Sequence, residues 1–203
     1  MANSHYVVKF ILGFFLMSQT EALIMVTKPF PQSFWVKDAL LCAGHYPAGI
    51  DKAETFTKLN GLLNCGIKRV INLMEDDELD YSGRPFREYE KTLSILATAK
   101  NLPPPECLRL PLRDAKAPSI AQMESVLWLV RDGIENSIPT YIHCWGGHGR
   151  TGTTICCYLM SEGKTADEAL AQLLQWRIKL PRNHFPLENE QWSFVEQAHN
   201  WLG

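Results

Sequence analysis

The residues with the clearest chemical potential lie in one glycine-rich stretch, YIHCWGGHGRTG at residues 141–152. It holds a thiol, Cys144, and a guanidinium, Arg150, in a C-x5-R spacing. Glycines between them allow the backbone to curl tightly, so that successive N–H groups point inward as an anion-binding nest. A helix that begins near Arg150 would add the positive end of its dipole. The pattern predicts a loop that binds a phosphate group and holds a thiol against its phosphorus atom.

The residue types at the two ends of this loop fit the same chemistry. Arg150 has a planar fork that can bond two phosphate oxygens at once. Cys144 should ionise readily, because inward N–H groups and a guanidinium stabilise a thiolate. A free cysteine is more often a small apolar core residue. Core packing, however, gives no reason for an arginine and three glycines at these spacings, so we favour the catalytic interpretation.

A second motif overlaps the first. Gly147-x-Gly149-x-x-Gly152 formally matches a dinucleotide-binding fingerprint between a strand and a helix. That fingerprint expects an acidic residue at the end of the next strand, about 20 residues later. The corresponding region, DEALAQLLQW at 167–176, has a helical pattern instead. We therefore exclude a dinucleotide site.

The rest of the chain predicts the elements that must position this loop. Apolar periodicity and turn residues indicate a β-hairpin at 33–47 and strands at 67–74, 105–112 and 139–144. The same analysis predicts helices at 51–66, 85–100, 119–136, 151–162, 165–177 and 188–201. Pro85 would lie in the first turn of the second of these helices. Alternating strands and helices predict an α/β fold, with a central, largely parallel sheet of four to five strands and helices on both faces. The glycine-rich loop then follows the carboxyl end of a strand, where open α/β sheets bind ligands.

Composition indicates the number of domains and restricts the classes of partner and metal site. The chain has 203 residues, 46% of them hydrophobic, and a net charge of −2, so one domain is expected and no global charge attracts nucleic acid or a membrane. Its six cysteines have no metal-ligand spacing, which predicts reduced thiols, no metal and a cytoplasmic setting. Residues 1–25 contain a short apolar run, VVKFILGFFLM, too short to span a bilayer. We expect an extension outside the fold, or alternatively an export signal in residues 1–22, with the domain at 26–203.

The stretch HCWGGHGRTG resembles the H-C-x5-R-[ST] signature of the cysteine-dependent protein tyrosine phosphatases, particularly the dual-specificity group. The resemblance extends over residues 33–203 through LLCAGHYPAG, INLME, LRLPLRDAKAPS and PLENEQWSFV, which look like small bacterial members. It implies that Cys144 is the nucleophile, Arg150 the phosphate clamp and Thr151 a hydroxyl that assists Cys144 as leaving group. His143 would tune and orient the nucleophile through backbone contacts. The implied phosphate-binding residues are those of the loop: Trp145, Gly146, Gly147, His148, Gly149 and Arg150.

Breaking a phosphoester requires a proton for the departing oxygen, usually from a carboxylic acid. The resemblance places such an acid on a loop before the nucleophile, at Asp114 in PLRDAKAP. An aspartate that only shapes its turn is the simpler alternative. The acidic run MEDDELD at 74–80 is interpreted as a solvated loop or helix start, although Asp76, Asp77 and Asp80 remain substitute acids. Gln191 resembles a glutamine that orients the hydrolytic water, and a polar helix face explains it equally well.

These observations predict a phosphomonoesterase that works through a cysteinyl-phosphate intermediate without a cofactor. The expected partner is a phosphorylated protein or a small phosphomonoester. Among protein substrates we expect phosphotyrosine first and phosphoserine or phosphothreonine next. An inositol-phosphate, phospholipid or RNA 5′-phosphate phosphatase would share the same loop, so these alternatives stay open. A rhodanese-like sulfurtransferase and a non-catalytic phosphate-binding module are alternatives of another class. The Asp114 segment, the Arg150–Thr151 helix start and the retained Cys144 argue against both.

Overall fold

The computed structural model describes residues 27–49, 51–178, 180 and 187–202. The predicted N-terminal extension, residues 1–25, lies outside these described residues, so its role stays a prediction. The same holds for the exact beginning of the domain.

Five strands form one central sheet. They are β1 (Ser33–Lys37), β2 (Leu41–Gly44), β3 (Arg69–Asn72), β4 (Glu106–Arg109) and β5 (Thr140–His143). Their spatial order is β1-β2-β5-β3-β4, and only the β1–β2 hairpin is antiparallel, since the other three pairings are parallel. Parallel neighbours need long crossover connections, which here contain helices. The predicted α/β fold with a largely parallel sheet is confirmed.

Six α-helices of the described residues surround the sheet. They are α1 (Lys52–Asn64), α2 (Glu90–Ala99), α3 (Ile120–Glu135), α4 (Gly149–Ser161), α5 (Ala166–Arg177) and α6 (Asn189–Glu196), and one turn of 3-10 helix follows (Ala198–Asn200). Local sequence sets several of their beginnings. Ser119 with Gln122 and Thr165 with Glu168 form capping boxes, in which each side chain bonds the other residue's backbone N–H.

The structure corrects the predicted start of α2. That helix begins at Glu90, and Pro85 does not lie in its first turn. Pro85 instead forms an isolated antiparallel bridge with Leu79. The physical reason is Asp80, whose carboxylate accepts hydrogen bonds from the backbone N–H groups of Ser82 and Arg84 and closes a turn there.

The sheet brings three strand ends to the same edge. Every residue of β5 is buried, and its last residue, His143, is in register with Gly44 of β2 and with Asn72 of β3. The core around it consists of fully buried apolar side chains from the strands and the helices, among them Leu41, Ile71, Val126, Ile142 and Leu173. Chain segments that leave β2, β3 and β5 therefore meet at one place, as predicted for the carboxyl edge of a parallel sheet.

Candidate active site

Residues 144–148 form a tight loop between the end of β5 and the beginning of α4. Gly147 has φ +61°, and a Cβ atom there would lie 2.4 Å from the carbonyl oxygen of Gly44, so only glycine fits. The backbone N–H groups of Gly146, Gly147 and Gly149 donate no hydrogen bond to any described residue. Free N–H groups at a helix N-terminus are suited to bind an anion, so this loop is compatible with the predicted phosphate site.

Cys144 lies at the beginning of this loop with only 3% of its surface exposed. Thr151, in the first turn of α4, is fully buried, and its hydroxyl has no hydrogen-bond partner among the described residues. A buried hydroxyl without a partner is unfavourable, so a group that arrives at the site would satisfy it. This environment is compatible with the role implied for Thr151 toward Cys144, which stays a prediction.

Arg150 is buried in a cluster of acceptors. Its two terminal nitrogens bond both carboxylate oxygens of Glu78, with Nη2 to Oε2 at 3.0 Å. The same Nη2 lies 3.0 Å from Oδ1 of Asp114, and Nη1 donates to the carbonyl oxygen of Leu112 at 3.2 Å. Burial lowers the pKa of Arg150, but the hydrogen bond to Glu78 and the nearby anions outweigh it and raise the pKa. The guanidinium is therefore a fixed cation, and its Nε has no partner in the described part of the chain.

The position of Glu78 corrects the interpretation of the acidic run. We interpreted residues 74–80 as a solvated loop or helix start, yet the Glu78 side chain is only 13% exposed and pairs with Arg150. Several carboxylates adjoin one another in this run, and their spacing in the sequence does not show which side chain is buried. The pairing of Glu78 with Arg150 could therefore not be predicted. We call residues 75–85 the Glu78 loop.

The structure brings Asp114 to the site and gives other roles to two of its substitutes. Asp114 is 62% exposed, at the mouth, beside Arg150. Asp76 pairs with Arg109 at 2.9 Å. Hydrogen bonds from the Arg84 backbone and from Ser82 lower the pKa of Asp80 to about 2, so this carboxyl carries no proton near neutral pH. Asp114 thus contacts Arg150, whereas its role as the acid stays a prediction.

Two hydrogen bonds hold His143 beside Cys144. Its Nδ1 lies 3.0 Å from the carbonyl oxygen of Cys144, and its Nε2 lies 2.7 Å from the hydroxyl of Tyr89. A carbonyl oxygen can only accept, so Nδ1 carries the proton and Nε2 accepts from Tyr89. Burial lowers the pKa of His143 to about 3, which keeps the ring neutral. The ring thus binds the Cys144 carbonyl, whereas the role of His143 in tuning and orienting a nucleophile stays a prediction.

Gln191 lies between the phosphate-binding loop and the loop of Asp114. It is fully buried in α6, and a Cβ atom added to Gly149 would lie 2.6 Å from its Oε1. Its Nε2 donates to the carbonyl oxygen of Lys116 at 3.4 Å, and Lys116 pairs with Glu190 at 2.7 Å. The predicted weak candidate therefore adjoins the site, whereas its role toward water stays a prediction.

The rings of Trp145 and His148 contact aromatic residues of neighbouring segments. The half-buried ring of Trp145 lies 4.3 Å from Tyr81 and 5.1 Å from Phe86, measured between centroids. We call Tyr81, Phe86 and Trp145 the aromatic wall. The ring of His148 lies 5.5 Å from that of His45 in an edge-to-face arrangement. Trp145 thus packs against the Glu78 loop beside the nucleophile.

Sequence reasoning missed a second buried arginine. Arg177, the last residue of α5, has 1% of its surface exposed, and its Nη2 donates to the carbonyl oxygen of Gly147. A signal was present, since Ala169, Leu173 and Arg177 recur at the four-residue spacing of one helix face. A charged residue in a buried apolar row needs a specific partner.

Comparison with known proteins identifies the class to which this fold and site belong. The family model of the Swiss Army Knife DSP-PTPase phosphatase domain matches residues 35–184. The chain belongs to this family, and it therefore contains a dual-specificity-type phosphatase domain. No curated protein sequence matches the chain.

Solved structures show the same fold. The active form of Tk-PTP is 24% identical, with a TM-score of 0.62, over 85% of this chain and 99% of that one. PTPMT1 in complex with PI(5)P is 17% identical, with a TM-score of 0.62, over 84% and 96% of the two chains. A kinase associated phosphatase whose catalytic-site cysteine was replaced by serine is 19% identical, with a TM-score of 0.60, over 80% and 86%. None of the helices in the described residues has the length and apolarity that a bilayer span requires.

Proposed function

We propose that this protein hydrolyses phosphomonoesters through a cysteinyl-phosphate intermediate, with phosphotyrosine in proteins as its principal substrate. The observation that carries this proposal is the 3.0 Å contact between Asp114 and Arg150, beside the loop that begins with Cys144. The side chains that we assign as phosphate clamp and proton donor are thereby in contact with each other. Neither a sulfurtransferase nor a passive phosphate-binding module needs an acid at this point.

In the first step, the Cys144 thiolate attacks phosphorus while the bond from phosphorus to the substrate oxygen breaks. Asp114 gives its proton to that departing oxygen. Backbone N–H groups of the loop and the Arg150 guanidinium stabilise the charge on the three other oxygens. The products of this step are the free alcohol or phenol and a phosphate bound covalently to Cys144.

In the second step, a water molecule attacks the phosphorus atom and the sulfur–phosphorus bond breaks. The Asp114 carboxylate, now without its proton, accepts one from the water. The Thr151 hydroxyl is buried without a partner and is suited to donate a hydrogen bond to the sulfur as it leaves. Inorganic phosphate departs and the thiolate is restored.

The preference for phosphotyrosine is supported by the aromatic wall. Trp145 follows the nucleophile directly, and Tyr81 covers it while remaining 93% exposed. We propose that a substrate held on Cys144 contacts these rings. Aromatic pairs gain about 0.5–1.5 kcal/mol beyond the burial of their area, so a phenyl phosphate would bind more favourably there than an alkyl phosphate.

Replacement of the nucleophile tests the reaction. We expect Cys144→Ser to abolish hydrolysis of p-nitrophenyl phosphate while the circular dichroism spectrum and melting temperature stay normal. Cys65→Ser is the matched control, because Cys65 lies at the end of α1, where its thiol donates to the Thr27 carbonyl oxygen. It should retain wild-type activity. Turnover by a folded Cys144→Ser variant would refute the covalent mechanism.

A substrate comparison tests the preference. We expect kcat/KM to be highest for a phosphotyrosine peptide when it is compared with a phosphoserine peptide, inositol phosphates, PI(5)P and an RNA 5′-phosphate. Tyr81→Ala should lower kcat/KM for the phosphotyrosine peptide about three- to tenfold and leave the phosphoserine peptide unchanged. Leu79→Ala, also exposed on the Glu78 loop, is the control. Faster hydrolysis of a lipid or RNA substrate would reject the phosphotyrosine preference and retain the phosphatase mechanism.

A further inference from the structure

Arg177 is a charged side chain whose burial needs an explanation. It is among the largest fully buried side chains, and no carboxylate lies within 4.0 Å of it among the described residues. Its Nε and Nη1 have no hydrogen-bond partner in the same residues. An unpaired buried cation is costly, so some other group must offset its charge.

The contacts of Arg177 lead to the phosphate-binding loop. Nη2 donates to the Gly147 carbonyl oxygen, and the guanidinium carbon lies 5.8 Å from the centre of the Phe34 ring. Across a trans peptide, the C=O of one residue and the N–H of the next point in opposite directions. A bond that draws the Gly147 carbonyl toward Arg177 therefore turns the N–H of His148 away from Arg177. Arg177 fixes the orientation of a peptide group at the tightest point of the loop.

Arg150 and Arg177 differ in how their charges are compensated. Arg150 has the carboxylate of Glu78 as a bidentate partner, so its positive charge is balanced before any phosphate binds. Arg177 has no such partner in the described residues. Burial lowers the pKa of Arg177 to about 10, while the charge of the Cys144 thiolate acts in the opposite direction. Arg177 therefore remains a cation near neutral pH, and its hydrogen bond to Gly147 attaches it to the loop that begins with Cys144.

We propose that Arg177 is a positioning residue that holds the Gly147 peptide and supplies the counter-charge of the Cys144 thiolate from beneath the loop. The proposal rests on the proposed function, because it assigns Cys144 as the nucleophile. Its readout is the reactivity of the thiol itself, which does not require turnover.

The test is alkylation of Cys144 by iodoacetamide in the full chain, followed by mass spectrometry of the peptide that contains it. We compare the rate of Cys144 alkylation at pH 6 with the rate at pH 9, expressed as their ratio, since only the thiolate reacts. Arg177→Gln keeps a donor for the Gly147 carbonyl but removes the charge. We expect this ratio to fall about tenfold in Arg177→Gln and to stay within about twofold of wild type in Arg177→Lys.

Two results would overturn the proposal. One is an unchanged ratio in Arg177→Gln together with a loss of kcat, because a purely structural role lowers activity without altering thiol ionisation. The other is an equal fall in Arg177→Lys, since a retained charge should preserve the thiolate. Leu173→Ala, one turn earlier on the buried face of α5, destabilises the same helix without a change of charge and should keep the wild-type ratio.

If Arg177→Gln does not fold, a second variant tests whether Arg177 or Arg150 supplies the counter-charge of the Cys144 thiolate. The other charged or titratable groups around Cys144 are Arg150, Glu78, Asp114, His143, Tyr141 and His148. The double variant Arg150→Gln with Glu78→Gln removes a cation together with its carboxylate. An alkylation ratio within about threefold of wild type supports Arg177 as the counter-charge, whereas a fall of tenfold or more assigns that role to Arg150. If Cys144→Ser retains phosphatase activity, the proposed function fails, whatever the alkylation rates show.

Discussion

Two carboxylates hold Arg150 in place, Glu78 through two hydrogen bonds and Asp114 through one ion pair. They differ in exposure, because the Glu78 side chain is 13% exposed and that of Asp114 is 62% exposed. This difference separates their roles. The buried carboxylate fixes the direction of the guanidinium, and the exposed one is accessible to a substrate oxygen and to water.

Replacement of Glu78 should therefore impair the clamp. We expect Glu78→Gln to lower kcat/KM for p-nitrophenyl phosphate about 10- to 100-fold, because Arg150 loses the bidentate partner that orients its fork. Steady-state kinetics measures the fall in kcat/KM, and a thermal melt shows whether the variant is folded. Asp77→Asn, an exposed change on the same loop, is the control and should remain within about twofold of wild type. Wild-type kinetics in a folded Glu78→Gln variant would show that Arg150 needs no such partner.

The role of Asp114 depends on the leaving group. We expect Asp114→Asn to slow hydrolysis of an alkyl phosphate by about 10²- to 10⁴-fold, because a poor leaving group needs the proton. An aryl phosphate with an activated, low-pKa leaving group should lose much less, since its oxygen can depart as an anion. Parallel measurements of kcat for the two substrates test this difference. Equal losses would mean that Asp114 shapes its loop and does not donate the proton.

At the scale of elements, the β1–β2 hairpin supports the phosphate-binding loop from the side. The Gly44 carbonyl at the end of β2 lies where a side chain at Gly147 would begin. We expect Gly147→Ala to reduce kcat/KM about 100-fold, since either the loop or the strand end must move. Gly163→Ala is the matched control, because Gly163 also has a positive φ, +96°, but nothing lies within 4 Å of its added Cβ. It should lower the melting temperature and leave kcat/KM unchanged.

The elements could be predicted from the sequence more completely than the site. The β1–β2 hairpin and the helix α3 follow from local apolar periodicity, and the loop at Cys144 follows from its own glycines. Glu78 and Arg177 escaped prediction because their partners, Arg150 and Gly147, are distant in the chain. No local pattern shows which carboxylate of an acidic run turns inward.

At the scale of the whole molecule, the buried His143 links folding to pH. Its pKa of about 3 in the folded protein lies below the ordinary value of 6.5. Between these two values the unfolded chain binds a proton that the folded protein does not, so stability falls as pH falls. The full contribution is present above pH 6.5.

A variant without this ring should lose that dependence. From pH 6.5 downward, we expect wild type to lose up to about 1.4 kcal/mol of unfolding free energy per pH unit more than His143→Gln. Urea titrations at several pH values measure the difference between the two proteins. His199→Gln, at an exposed histidine near the C-terminus, should follow wild type. Parallel curves for His143→Gln and wild type would show that His143 does not cause the acid sensitivity.

The contact between Trp145 and Tyr81 also gives the protein an optical property. Trp145 is one of six tryptophans and follows the nucleophile directly, with the Tyr81 ring at 4.3 Å. Indole emission responds to the polarity and packing of its surroundings, and an oxyanion in the loop would alter both. Vanadate, an analogue of the pentacoordinate phosphorus transition state, should therefore change the intrinsic fluorescence in wild type and not in Trp145→Phe. The enzyme would report occupancy of its own phosphate site without a label.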